Sequence, residues 1–126
     1  MTRLLLTLLT TVASTGVPVD VQGLKGGQVH GTVTLLARSG GTAATVDIRQ
    51  LKPHARVRIL VHAGDCLHRS ASFAALPTLT ADARGRVAGS GFFRFHGAKV
   101  PLRTLTAEPH SISVVAGTAV ACGEIR

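Results

Sequence analysis

The amino-acid sequence predicts an all-β fold, a two-sheet sandwich or flattened barrel of about seven or eight short strands. Two observations carry that expectation. Hydrophobic residues recur with a period of two nearly everywhere after Gly16, and clusters of turn-forming residues interrupt the pattern at short intervals. No segment keeps a helical period for three turns.

The strands follow in order. Val17, Val19 and Val21 alternate with Pro18 and Asp20, and Val29, Val33 and Leu35 with His30, Thr32 and Thr34. Ala44, Val46 and Ile48 form the third set, and Val57, Ile59 and Val61 the fourth. Such alternation, rich in Val, Ile and Thr, marks half-buried antiparallel strands. The breaks are Gly26-Gly27, Ser39-Gly40-Gly41, Lys52-Pro53, Arg84-Gly85 and Glu108-Pro109. Arg86 to His96 reads as one further strand, with Phe93 and Phe95 on one face and Phe92, Arg94 and His96 on the other. Ser111 to Val115 and Thr118 to Ile125 supply the last two. Leu36, Leu60 and Phe92 break the alternation outward; coverage by the remaining loops is the expected reading, and a patch shared among them would instead suggest a homodimer or a docked protein.

The first residues read as a leader. Met1-Thr2-Arg3 is positive, Leu4 to Ala13 is apolar apart from threonines, and Ala13-Ser14-Thr15-Gly16 offers small residues for cleavage. That layout is a secretory signal peptide over residues 1–16, ahead of one domain over 17–126. The apolar run is shorter than the roughly 20 residues that cross a bilayer as a helix, so no transmembrane segment is expected in the mature chain. A secreted, periplasmic or cell-envelope location follows. In such a compartment Cys66 and Cys122 are expected to form a disulfide, worth on the order of 4 kcal/mol in the chain-entropy account. Two unpaired buried thiols are the alternative.

The chain carries 14 Lys and Arg against 6 Asp and Glu, a net charge of +8. A basic surface favours encounter with polyanions. The cations are scattered rather than clustered, and with no Trp, no Tyr and four Phe the chain lacks stacking platforms for bases. A solvated basic face is the expected reading and specific nucleic-acid recognition is not expected; the sequence names no partner, a protein or a polyanionic surface being the candidates.

Val61-His62-Ala63-Gly64-Asp65-Cys66 and Ala121-Cys122-Gly123, together with several further runs, resemble segments of the copper/zinc superoxide dismutases. Val21-Gln22-Gly23-Leu24-Lys25-Gly26-Gly27-Gln28-Val29-His30-Gly31 resembles that family's opening strand, Leu-Lys-Gly turn and Val-x-Gly strand. Gln50-Leu51-Lys52-Pro53 is similar to the turn before its His-Val-His strand, and Leu79-Thr80-Ala81-Asp82-Ala83-Arg84-Gly85 to its Val-Thr-Ala-Asp segment. Val61-His62-Ala63-Gly64-Asp65-Cys66 and Ala121-Cys122-Gly123 resemble the two halves of its disulfide clasp. The resemblance spans nearly the whole mature chain and implies a Greek-key barrel. A secreted group named after chordin shares the strand pattern and stands as the second choice.

The same resemblance implies where metal ligands should lie. The His-Val-His pair falls on Leu60 and His62, the ligand near the C-terminus on Ala116, and the arginine that steers superoxide on Ala119. The stretch from Cys66 to Leu79, where zinc ligands would lie, holds one histidine, His68. Copper and zinc favour imidazole ligands, and a single imidazole cannot hold catalytic copper. The expectation is a superoxide-dismutase-like scaffold with no cofactor, no catalytic residues and a binding or structural role. The alternative is a divergent copper/zinc superoxide dismutase whose site is rebuilt from His62, His68 and a further histidine. No serine sits in a Gly-x-Ser-x-Gly elbow between strand and helix.

Overall fold

The computed structural model describes residues 16–126, so the expected leader lies, but for Gly16, outside the described residues. Eleven strands form one continuous sheet wrapped into a nearly closed barrel. β1 (Val17–Gly23), β2 (His30–Arg38) and β3 (Gly41–Arg49) make an antiparallel meander, and β3 pairs with β7 (Val87–Phe92). On the other side β4 (Arg56–Ala63) pairs with β10 (His110–Ala116), and β10 with β11 (Thr118–Ile125). Pairing of β11 with β1 joins the two halves. The chain crosses from β3 to β4 and later returns to β10 beside β4, which is the Greek-key signature. Short pieces complete the wall: β5 (Ser72–Ala75) and β6 (Leu79–Thr80) both lie on β4, and β8 (Arg94–Phe95) pairs with β5 and with β9 (Ala98–Lys99).

Alternation places the core as the sequence predicts. Val19, Val21, Val33, Leu35, Val46, Ile48, Val57, Ile59, Val61, Ile112 and Val114 are all within 1 % of full burial. The two-residue turn between β2 and β3 has positive φ at both centres, Ser39 (52°) and Gly40 (78°). Primed turns of this kind match the twist of the paired strands and fix the register Arg38↔Gly41. Helix α1 (Leu102–Thr106) is a single short turn of five residues that seats Leu105 in the core.

Two expectations are corrected. Among the described residues there are eleven strands rather than seven or eight, because the sandwich edges are built from fragments. The stretch Arg86 to His96 is also not one strand: it breaks at Phe93, and its halves belong to different parts of the sheet. β7 lies on β3 and β8 on β5, while the Phe93 amide donates to Thr42 O at 3.1 Å. The break re-aims the side chains. Phe93 is fully buried, whereas Phe95, expected on its face, is 44 % exposed.

The three outward apolar residues also part company. Leu36 and Phe92 flank Ala43 across β2, β3 and β7 on one outer face. Leu60 lies on β4, in the other half of the barrel, and is buried. The patch thus joins two of the three residues.

Candidate functional site

The region the resemblance singles out is the outer face of β4, β10 and β11 beside the disulfide. Val57, Ile59 and Val61 point into the core, so Leu60 and His62 point outward. Strand register places Ser113 opposite Leu60 and Ser111 opposite His62. Cys122 lies opposite Ser113 on its other side, and Glu124 opposite Ser111. Residues on an outward face are usually wet. Here Leu60, Ser111, Ser113 and Cys122 are buried, because residues 64–71 fold over them.

Covalent and polar ties hold that loop down. Cys66 is bonded to Cys122, with Cα atoms 6.0 Å apart. The Gly64 amide donates to Pro109 O at 2.8 Å and the Ser70 amide to Ala63 O at 3.1 Å. Gly64 has φ +90°, and a Cβ there would collide with the His68 carbonyl oxygen, so the tight reversal requires glycine. Asp65 organises the tip. Its carboxylate accepts from the amides of Leu67 (3.0 Å) and His68 (2.8 Å) and faces the His68 ring at 2.9 Å. The His68 side chain, followed by its amide and that of Leu67, holds the Asp65 carboxyl below the ordinary aspartate value.

His62 joins loop to barrel. Its Nδ1 lies 2.8 Å from Ser70 O and its Nε2 2.6 Å from Ser113 Oγ. A carbonyl only accepts, so Nδ1 carries the proton, and in the neutral ring Nε2 accepts from the Ser113 hydroxyl. Both ring nitrogens are thus engaged within the protein. The pair has the form of a serine–histidine dyad, but Ser113 is 1 % exposed and its oxygen is closed to a substrate. The alternation in the sequence puts His62 on the outward face of β4, where it is found; its contact with Ser113 depends on the register of β4 and β10 and has no signal in the sequence. Among the described residues Ser111 Oγ, next along the strand, is buried with no hydrogen-bond partner.

The remaining positions do not converge on this point. The His68 side chain is 79 % exposed and turned to Asp65. Ala116 ends β10, beyond the Val115↔Arg58 pair, about 10 Å along the strand from the row that holds Leu60. It lines a recess at the opposite end of the barrel, with Leu51, Ala55 and Val120. Ala119 is exposed opposite Val115. Among the described residues no group of three or more His, Cys, Asp or Glu gathers where a metal ion would be held. A zinc or copper site needs three or four ligands converging at about 2.0–2.3 Å. The residues at these positions, Leu60, His62, His68 and Ala116, do not fit that requirement: two have no donor atom, and the two imidazoles are turned to different partners.

Fold and clasp together define the class: a disulfide-clasped Greek-key β-barrel of the copper/zinc superoxide dismutase type. Among solved structures the chain is similar to the Cu/Zn superoxide dismutase from Brucella abortus, with a TM-score of 0.64 over 89 % of this chain and 100 % of that one. Identity is 18 %, so the likeness concerns the fold. No protein-family model and no curated protein matches the sequence.

Proposed function

We propose that this chain is a non-catalytic, extracytoplasmic superoxide-dismutase-like domain with a binding or structural role at the cell envelope or outside the cell. The observation that carries this reading is the state of His62. The one histidine at a family ligand position spends both ring nitrogens on Ser70 and Ser113, and its partner position is the buried Leu60. The one side chain at a ligand position instead pins a loop. The disulfide and the leader-like sequence support an oxidising location. Among the described residues no helix is long and apolar enough to cross a membrane.

A rebuilt copper/zinc site, the second reading, is not favoured, because His62 and His68 are held by different partners. The test is a superoxide-dismutation assay on the oxidised protein after copper and zinc loading. The expected rate is that of free metal at the same concentration. Protein-dependent activity that disappears in His62→Ala would overturn the reading.

A further inference from the structure

We propose that the barrel end bearing Phe95 and Leu67 is a docking surface for an anionic lipid bilayer. This gives a partner class to the binding role proposed above, and it stands or falls separately from the metal question.

Among the described residues, Leu67 (87 %) and Phe95 (44 %) are the large hydrophobic residues left exposed. They lie on different loops, yet strand register brings both to one end. β5 runs antiparallel to β4 with His62↔Ser72 and Leu60↔Ala75, and Ala75 pairs with Arg94. The β8–β9 hairpin tip therefore points the same way as the loop of residues 64–71. Phe73 on β5 packs edge-on against Phe95, ring centroids 6.1 Å apart, and fixes that ring in its outward position.

Cations surround the hairpin. Arg94 and Lys99 sit directly opposite one another across β8 and β9, an arrangement in which like charges repel. Lys99 Nζ donates to Ser39 O at 2.9 Å, tying the hairpin to the β2–β3 turn. Arg38 and Arg103 line the adjoining recess. Among the described residues none of these four cations pairs with a carboxylate; the ion pairs use Arg49, His68, Arg86 and Arg126. Three carboxylates, Asp65, Glu108 and Glu124, line a recess at this end on the side of the Leu67 loop, Glu124 being paired with Arg126; the hairpin side has none, since the sequence holds no acidic residue from 83 to 107 or from 21 to 46. Asp65, at the base of the Leu67 loop, already faces His68 and two amides.

The combination decides the partner. A soluble polyanion would neutralise the cations and leave Phe95 and Leu67 in water. A bilayer with anionic headgroups neutralises the cations and also buries the two apolar tips at the headgroup–acyl boundary.

The test uses the oxidised protein with its N-terminal residue established, identical in every variant. It is sedimented with vesicles of phosphatidylglycerol mixed with phosphatidylcholine, and with phosphatidylcholine alone. Binding is expected on the anionic vesicles and is expected to weaken with salt. Loss is expected to be about tenfold in Phe95→Ser and about fivefold for each of Arg94→Ser and Lys99→Ser. Arg84→Ser, on the turn between β6 and β7, should bind as the parent does. Because the chain has no tryptophan, Leu67→Trp provides a lone fluorophore on the exposed tip, expected to shift to the blue on anionic vesicles. Absence of vesicle binding, a Phe95→Ser variant that binds undiminished, or an unshifted tryptophan would each overturn the proposal. So would binding to heparin or DNA that matches vesicle binding and does not depend on Phe95, which would assign the surface to a soluble polyanion.

Discussion

His62 on β4 reaches diagonally to Ser113 on β10, with the imidazole Nε2 2.6 Å from the serine hydroxyl. The opposite ring nitrogen holds Ser70 O, so one side chain fastens the clasp loop to the barrel wall. Protonation would reverse the direction of the Ser113 hydrogen bond without removing a partner, because a hydroxyl both donates and accepts.

His62→Ala should therefore destabilise the oxidised protein by about 2 kcal/mol, the cost of two lost hydrogen bonds in a part-buried setting. His68→Ala, whose ring is largely in solvent, should change stability by less than about 0.5 kcal/mol. Urea midpoints of the two variants test the contrast. Equal effects would show that His62 is not the fastener.

Reduction of Cys66–Cys122 should lower stability by on the order of 4 kcal/mol if chain entropy governs the clasp. The paired variant Cys66→Ser/Cys122→Ser should match the reduced parent. Thermal melts with and without reductant measure both, and a reduced parent that melts with the oxidised one would contradict the expectation.

Ser111 offers a stabilising substitution. Its hydroxyl is fully buried and, among the described residues, has no partner. An unsatisfied buried polar group costs roughly 1–3 kcal/mol. Ser111→Ala removes that cost and leaves only a small void, so its melting temperature should equal or exceed that of the parent. A clear loss would mean that the hydroxyl has a partner, such as a bound water.

Acid should weaken the fold. Three aspartates have carboxyls held below their ordinary value. Asp47 is held chiefly by the Arg86 side chain, Asp65 by the His68 side chain, and Asp82 by the amides of Arg86 and Arg84. A carboxyl whose folded pKa is depressed contributes stability above its unfolded value, near 3.8, and loses it as pH falls through the folded value. Urea midpoints should be level above about pH 5 and decline below about pH 4. Arg86→Ala and Asp82→Ala should flatten that decline.

The sequence-to-structure relation differs between strands and site. Period-two alternation at Val17 to Val21 or Val57 to Val61 specifies which side faces the core, since each inward position has one strong choice. The break at Phe93 was hidden because its two halves, Val87–Phe92 and Arg94–Phe95, continue one local pattern while pairing with different strands. The Phe93 amide still bonds Thr42 of β3, and the change of partner shows in the next residue, where Arg94 pairs with Ala75 of β5. At the clasp, both cysteines and His62 were legible as residues. Ser113 was not, since its role depends on lying opposite Leu60 across two strands about 50 positions apart in the chain.

We propose that this barrel has the superoxide-dismutase type of fold and that the face on which the resemblance places metal ligands serves as a latch. Metal content of the oxidised protein, measured after copper and zinc loading and exhaustive dialysis, tests it most directly. Substoichiometric metal, and identical content in His62→Ala, are the expected results. One copper retained per chain, and lost when His62 is replaced, would contradict it.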